Sequence, residues 1–80
     1  MALIDINNFE LIYKNHYSKH TKVKTTYTYF EIDNKKYFQI DTYGKSTRKE
    51  IEKLSQSIQF DEESAKLLVK MLCDYFEIEV

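Results

Sequence analysis

A single cysteine, Cys73, leaves this chain of 80 residues without an internal disulfide, and its two histidines do not complete a structural zinc site. With neither staple available, the fold rests on one small hydrophobic core. Below about 70–80 residues such a core seldom supplies more than roughly 3–5 kcal/mol, so unstapled domains of this size often gain stability by self-association. A lone free thiol also suits a reducing, cytoplasmic setting.

Composition narrows the remaining classes. With 42% hydrophobic residues and a net charge of −1, the chain is too apolar and too weakly charged to stay disordered. No apolar run reaches a membrane-spanning length, and Met1-Ala2-Leu3-Ile4-Asp5 lacks the basic start and apolar core of a secretion signal. One soluble domain over residues 1–80, with no membrane partner, is expected. Gly44 is the one glycine and there is no proline, which excludes the glycine loops that cradle phosphates. No Ser-His-Asp set or paired carboxylates can be read, so neither enzyme activity nor a cofactor is expected. His16 and His20 lie four apart in a basic, extended stretch, where a metal role is not expected either.

Charge is unevenly spread. Residues 1–50 hold nine Lys+Arg and six Asp+Glu, for +3; residues 51–80 hold three and seven, for −4. From Leu11 to Phe30 no acidic residue occurs, while four lysines, both histidines and five aromatic residues do.

Residues 25–33 are rich in β-branched and aromatic types and read as a strand, as do residues 36–43. Asp33-Asn34-Lys35 tolerates positive φ and reads as the tight turn between them. Alternation then puts Phe30, Ile32, Phe38 and Ile40 on a core face, and Tyr27, Tyr29, Tyr37 and Tyr43 on the outer one. Residues 8–15 make a first strand. Residues 55–60 make a fourth, with Ile58 and Phe60 inward and Ser55, Ser57 and Gln59 outward.

Residues 62–77 read as a helix capped by Asp61, with Glu62 and Glu63 in the dipole-favoured first turn. Ala65, Leu68, Leu72 and Phe76, flanked by Val69 and Tyr75, form a stripe that covers the sheet, with Leu68 and Leu72 in the core. Leu67, Met71 and Ile78 form a second stripe, for which a helix of another copy is the natural partner. The expected fold is α+β: a four-stranded antiparallel sheet followed by one C-terminal helix (β-β-β-β-α), dimerising through the helix.

Phe38-Gln39-Ile40-Asp41-Thr42-Tyr43, the basic connection from Lys45 to Lys53, Ser57-Ile58-Gln59-Phe60 and the acidic opening Asp61-Glu62-Glu63-Ser64-Ala65 follow one another in a familiar order. This order resembles the positive cofactor 4 family of single-stranded-DNA-binding transcriptional coactivators and their small bacterial relatives. Phe9-Glu10-Leu11-Ile12 resembles the family's opening strand, so the likeness covers nearly the whole chain. Tyr43 stands where tryptophan is usual, Thr42 replaces an arginine, and the Lys-Gly before the fourth strand is missing. The stretch from Tyr37 to Ala65 also resembles tail segments of larger bacterial DNA-acting enzymes. The family resemblance implies single-stranded DNA binding.

Single-strand binding needs cations along the phosphates and flat side chains beneath the bases. Tyr27, Tyr29, Tyr37 and Tyr43 supply the second. Lys14, Lys19, Lys22, Lys24, Lys45, Arg48 and Lys49 supply the first from loops at the rim. Glu31, Asp33 and Asp41 fall on the tyrosine side and oppose phosphate. Exposed strand tyrosines and edge lysines are also ordinary solubilising features. The expected partners are single-stranded DNA or RNA and a second copy of the chain. The competing class is a small protein-interaction module, such as a phage- or mobile-element-borne inhibitor of a host enzyme, with the tyrosines forming a host-protein patch.

Overall fold

The structure, a computed structural model, describes residues 1–44 and 53–79. It has an α+β fold, with strands β1 (Ala2–Leu3), β2 (Thr25–Ile32), β3 (Lys35–Tyr43) and β4 (Leu54–Phe60) followed by the helix α1 (Glu62–Phe76). The four strands form one sheet in the order β1-β4-β3-β2. The β2–β3 and β3–β4 pairs are antiparallel, whereas β1 runs parallel to β4, so the sheet is mixed rather than wholly antiparallel.

The first strand is not at residues 8–15. The edge position is taken by Ala2 and Leu3, opposite Ile58 and Gln59, and Ile4 extends the pairing by donating its N–H to the Gln59 carbonyl at 3.0 Å. A short 3₁₀ turn over Ile6–Asn8 then turns the chain away, capped by Asp5, whose carboxylate accepts from the Asn7 N–H at 2.9 Å. From residue 9 to residue 24 the backbone has no regular secondary structure.

The hairpin turn is shorter than three residues. Ile32 pairs with Lys35, leaving only Asp33 and Asn34 in the loop, at φ 52° and 64°. Two successive positive φ values suit a two-residue hairpin turn, because their twist matches that of the flanking strands. Losing one loop residue inverts the phase of one strand against the other. Odd-numbered residues of β2 therefore lie opposite even-numbered residues of β3: Tyr29 faces Phe38, Tyr27 faces Ile40, and Phe30 faces Tyr37.

One sheet face thus carries Tyr27, Tyr29, Phe38, Ile40, Ile58 and Phe60, because β4 aligns Phe60 with Phe38 and Ile58 with Ile40. The other carries Thr26, Thr28, Phe30, Tyr37, Gln39, Asp41, Ser57 and Gln59. Phe30 and Ile32 do not share a face with Phe38 and Ile40. Nor do the eight expected core side chains form a closed core: Phe30, Ile40, Phe60 and Leu68 are half-buried, and Ile32, Phe38, Ile58 and Leu72 are exposed. Among the described residues no hydrophobic side chain is fully buried. The helix leans on the sheet chiefly through β4, and the Cα radius of gyration is 15.3 Å against about 12 Å for a compact chain of this length.

The helix begins as its residues dictate. The Ser64 N–H donates to Asp61 Oδ1 at 2.9 Å, and the Asp61 N–H donates to Ser64 Oγ at 3.0 Å, closing a reciprocal capping box around the buried Ser64. The Ser64 N–H, then its hydroxyl, hold the Asp61 carboxyl below the usual carboxylate range. At the other end Glu77 adopts the left-handed conformation, φ 55°, and its N–H returns to the Cys73 carbonyl.

Two outcomes follow from these local geometries. A folded pKa below the unfolded value of about 3.9 contributes stability above that value and loses it as pH falls through the folded one. Wild type should therefore lose helical circular dichroism more steeply in acid than Asp61→Asn, which still caps but does not titrate; coincident acid curves would contradict the cap. At the turn, Asn34→Gly should hold or raise the urea midpoint, while Asn34→Val should cost about 1–2 kcal/mol, the strain of a left-handed β-branched residue.

Candidate nucleic-acid interface

The edge strand β2 and its neighbour β3 bring three aromatic rings together. Phe38 lies 5.6 Å from Tyr27 and 6.4 Å from Tyr29, centroid to centroid, with ring planes inclined by 13° and 17°. Tyr27 is 68% exposed, Tyr29 74% and Phe38 38%, so the rings form a nearly parallel set open to solvent. Cross-strand alternation supplies the spacing. Flat, exposed rings in register along a strand are what successive unpaired bases can stack on.

The opposite face is built differently. Ser57 Oγ donates to Asp41 Oδ1, and Gln39 Nε2 donates to both oxygens of the same carboxylate at 3.0 and 3.2 Å. Gln59 Nε2 donates in turn to Gln39 Oε1 at 2.7 Å. This ladder ties β3 to β4 and holds Asp41 away from the aromatic rings. Asp41 was expected among the tyrosines, and the two-residue turn moves it to the other side. Glu31 remains on the aromatic face, opposite Lys36 across the hairpin.

The four expected tyrosines therefore divide. Tyr27 and Tyr29 stay together, while Tyr37 stacks on Phe30 at 5.6 Å on the polar face. Tyr43 also lies there: its hydroxyl is 3.0 Å from Thr26 Oγ1, and Lys24 Nζ sits 5.6 Å from the centre of its ring. Phe38 takes the place that sequence reading gave to Tyr37 and Tyr43. The signal for it was the count of residues between the strands, since two loop residues rather than three reverse the parity.

Of the expected cations, Lys14, Lys19 and Lys22 are exposed on the irregular segment before β2. Lys24 stands where β2 begins, its carbonyl accepting from the Tyr43 N–H at 3.1 Å. At the same end of the sheet the Gly44 N–H donates to the Lys53 carbonyl at 3.1 Å, which places a further lysine there. Lys45, Arg48 and Lys49 lie outside the described residues. On the helix, Leu67 is half-buried and Met71 is exposed; Ile78 is exposed too but lies beyond Phe76, after the left-handed Glu77, so the helical stripe expected through Leu67, Met71 and Ile78 stops at Met71. No group of three or more His, Cys, Asp and Glu side chains able to hold a metal occurs among the described residues, and no helix there is long and apolar enough to cross a membrane.

Compared with known protein families, with characterised proteins and with solved structures, the chain finds no match.

A double-mutant cycle checks the face assignment. Tyr27→Ala combined with Phe38→Ala should show a coupling of about 0.5–1.5 kcal/mol in urea unfolding, the usual worth of an aromatic pair. Tyr37→Ala with Phe38→Ala should show none. The opposite ranking would restore the phase in which all four tyrosines share one face.

Proposed function

We propose that this chain is a non-catalytic single-stranded nucleic-acid-binding protein of positive cofactor 4-like character, working as a homodimer paired through Leu67 and Met71 of α1 and Ile78 just beyond it. The observation that carries the reading is the exposed, nearly parallel set of Tyr29, Phe38 and Tyr27 on a sheet face from which Asp41 is turned away. Bases stack on these rings at roughly 1–3 kcal/mol each. The phosphates run toward the basic end of the sheet, where Lys24 and Lys53 stand and where the lysine-bearing segment 14–22 leads in. Tyr37 and Tyr43 take no part in stacking, because their rings belong to the opposite face. Duplex DNA binds more weakly, since paired bases cannot offer their faces to the rings.

Fluorescence anisotropy with a short single-stranded oligonucleotide, followed across a salt series, tests the reading. Tyr29→Ala should weaken binding by about 1–3 kcal/mol with the salt slope unchanged, and Tyr37→Ala should leave both alone. Lys22→Ala should weaken binding to every sequence and flatten the log–log salt slope by somewhat under one unit. Equal losses at Tyr29 and Tyr37 would move the site off the aromatic face. Absence of salt-sensitive binding by wild type would replace this function with the protein-interaction reading.

A further inference from the structure

The sheet ends on β2, and among the described residues no strand lies beyond it. The opposite edge, β1, is only two residues long, a length that offers little to an incoming strand. By contrast β2 is eight residues long and lacks the usual edge protection: its register on β3 runs unbroken, it holds no lysine or proline, and Glu31 is its one charge. The irregular segment from 9 to 24 does not pair with it either. Its backbone groups are used alternately. The Lys24 carbonyl accepts from the Tyr43 N–H, so the antiparallel ladder directs the backbone groups of Thr26, Thr28, Phe30 and Ile32 to β3. Those of Thr25, Tyr27, Tyr29 and Glu31 point outward along the free edge.

We infer that β2 pairs with β2 of a second copy, antiparallel about a two-fold axis at Thr28. A row of outward N–H and C=O groups is completed by another strand, and a two-fold pairing closes by using both open edges. The parity of those groups selects the register. Only outward residues can exchange both backbone bonds, so Thr25, Tyr27, Tyr29 and Glu31 must meet one another. A single two-fold register uses all four, with Tyr27 opposite Tyr29 of the partner subunit and Thr25 opposite Glu31 of the partner subunit. Sliding the strands by two residues leaves Thr25 or Glu31 unpaired. In the full register the one charge of β2 meets a threonine, so no like charges oppose each other. All four residues lie on the side of the sheet that carries Tyr27 and Tyr29. The axis therefore stands perpendicular to the sheet, and the two aromatic faces become one. Where the rings stack bases, as proposed above, the second copy doubles their row; the pairing itself does not rest on that reading. The helix leans on β4, two strands away, so pairing through Leu67 and Met71 leaves this edge open.

Position-specific disulfides test the register. In a Cys73→Ala background, Thr28→Cys sets two thiols directly opposite each other at a pair without backbone bonds. Cα atoms there are about 4.5 Å apart, inside the disulfide range of about 4.4–6.8 Å. Thr25→Cys is exposed as well, but the two copies of residue 25 lie six residues apart along the strands, about 20 Å. In a glutathione redox buffer Thr28→Cys should form the covalent dimer about tenfold or more faster than Thr25→Cys. Thr28→Lys, exposed and opposite Gln39 of β3, should keep its circular dichroism yet sediment as a smaller species than wild type, because like charges then meet at the axis. Mixing it with Thr28→Glu should restore the wild-type species. Should Thr28→Lys fail to fold, the disulfide rates decide alone. Equal rates at the two positions, or a folded Thr28→Lys that sediments as wild type does, would overturn the pairing and leave the edge to a strand of another protein. Neither readout uses nucleic acid, so the pairing and the proposed function fail separately.

Discussion

Two backbone torsions at the tip of the β2–β3 hairpin decide what each face of this protein is made of. Asp33 and Asn34 both take positive φ, which closes the loop in two residues and pairs Ile32 with Lys35. That pairing propagates along the hairpin. It brings Tyr27 and Tyr29 beside Phe38 and sends Tyr37 and Asp41 to the other side. With a third loop residue the same side chains would sort into an all-tyrosine face with Asp41 in its midst and a separate apolar one. Asn and Asp are the residues, after glycine, that occupy the left-handed region at least cost, so the turn needs no glycine. The chain's one glycine is thereby left to the end of β3.

A sheet with an apolar aromatic face needs a cover, and a single copy does not provide one. The helix departs from β4 and leaves Phe38 and Ile58 partly in water, and no hydrophobic side chain among the described residues is sealed from solvent. Apolar area contributes about 25 cal/mol for each Å² removed from water, and ordering each residue costs on the order of 1–2 kcal/mol. A chain so open recovers little of that cost by itself. Association and folding are then linked: whatever binds the folded form, whether a second copy or a ligand on the aromatic rings, also stabilises it. The shortage that the lone cysteine implies at the level of sequence returns as open surface in three dimensions.

Parts of this arrangement were legible from residues alone because their causes are local. The helix begins at Asp61 since an aspartate three residues before a serine closes a capping box, and β4 alternates because Ile58 and Phe60 are separated by a single polar residue. The strands over 25–33 and 36–43 are carried by β-branched and aromatic residues, and their observed ends differ from those bounds by one residue. What could not be read depends on distant partners or on one unit of count. Residues 8–15 have strand-like composition but no pairing partner, whereas Ala2 and Leu3 are only two residues long and owe their strand to the β4 edge beside them. The division of the tyrosines hung on whether Lys35 belonged to the turn or to β3. Composition is silent on that choice.

The polar ladder on the far side of the sheet gives the two faces different electrostatic characters. A carboxylate held by the Ser57 hydroxyl and the Gln39 amide has its acceptor oxygens engaged, and Gln59 completes the row by donating to Gln39. These bonds join β3 to β4 across the middle of the sheet and keep Asp41 from turning toward the rings. On the aromatic face the remaining carboxylate of β2, Glu31, lies near the hairpin tip and opposite Lys36. Lys24 and Lys53 stand at the other end, where β2 begins and β3 finishes. The hairpin tip is balanced, with Lys35 and Lys36 beside Glu31 and Asp33, while the far end adds Lys24 and Lys53. Under the proposed function, the phosphates of a strand lying over Tyr29, Phe38 and Tyr27 would gain more from the Lys24 end than from the balanced tip.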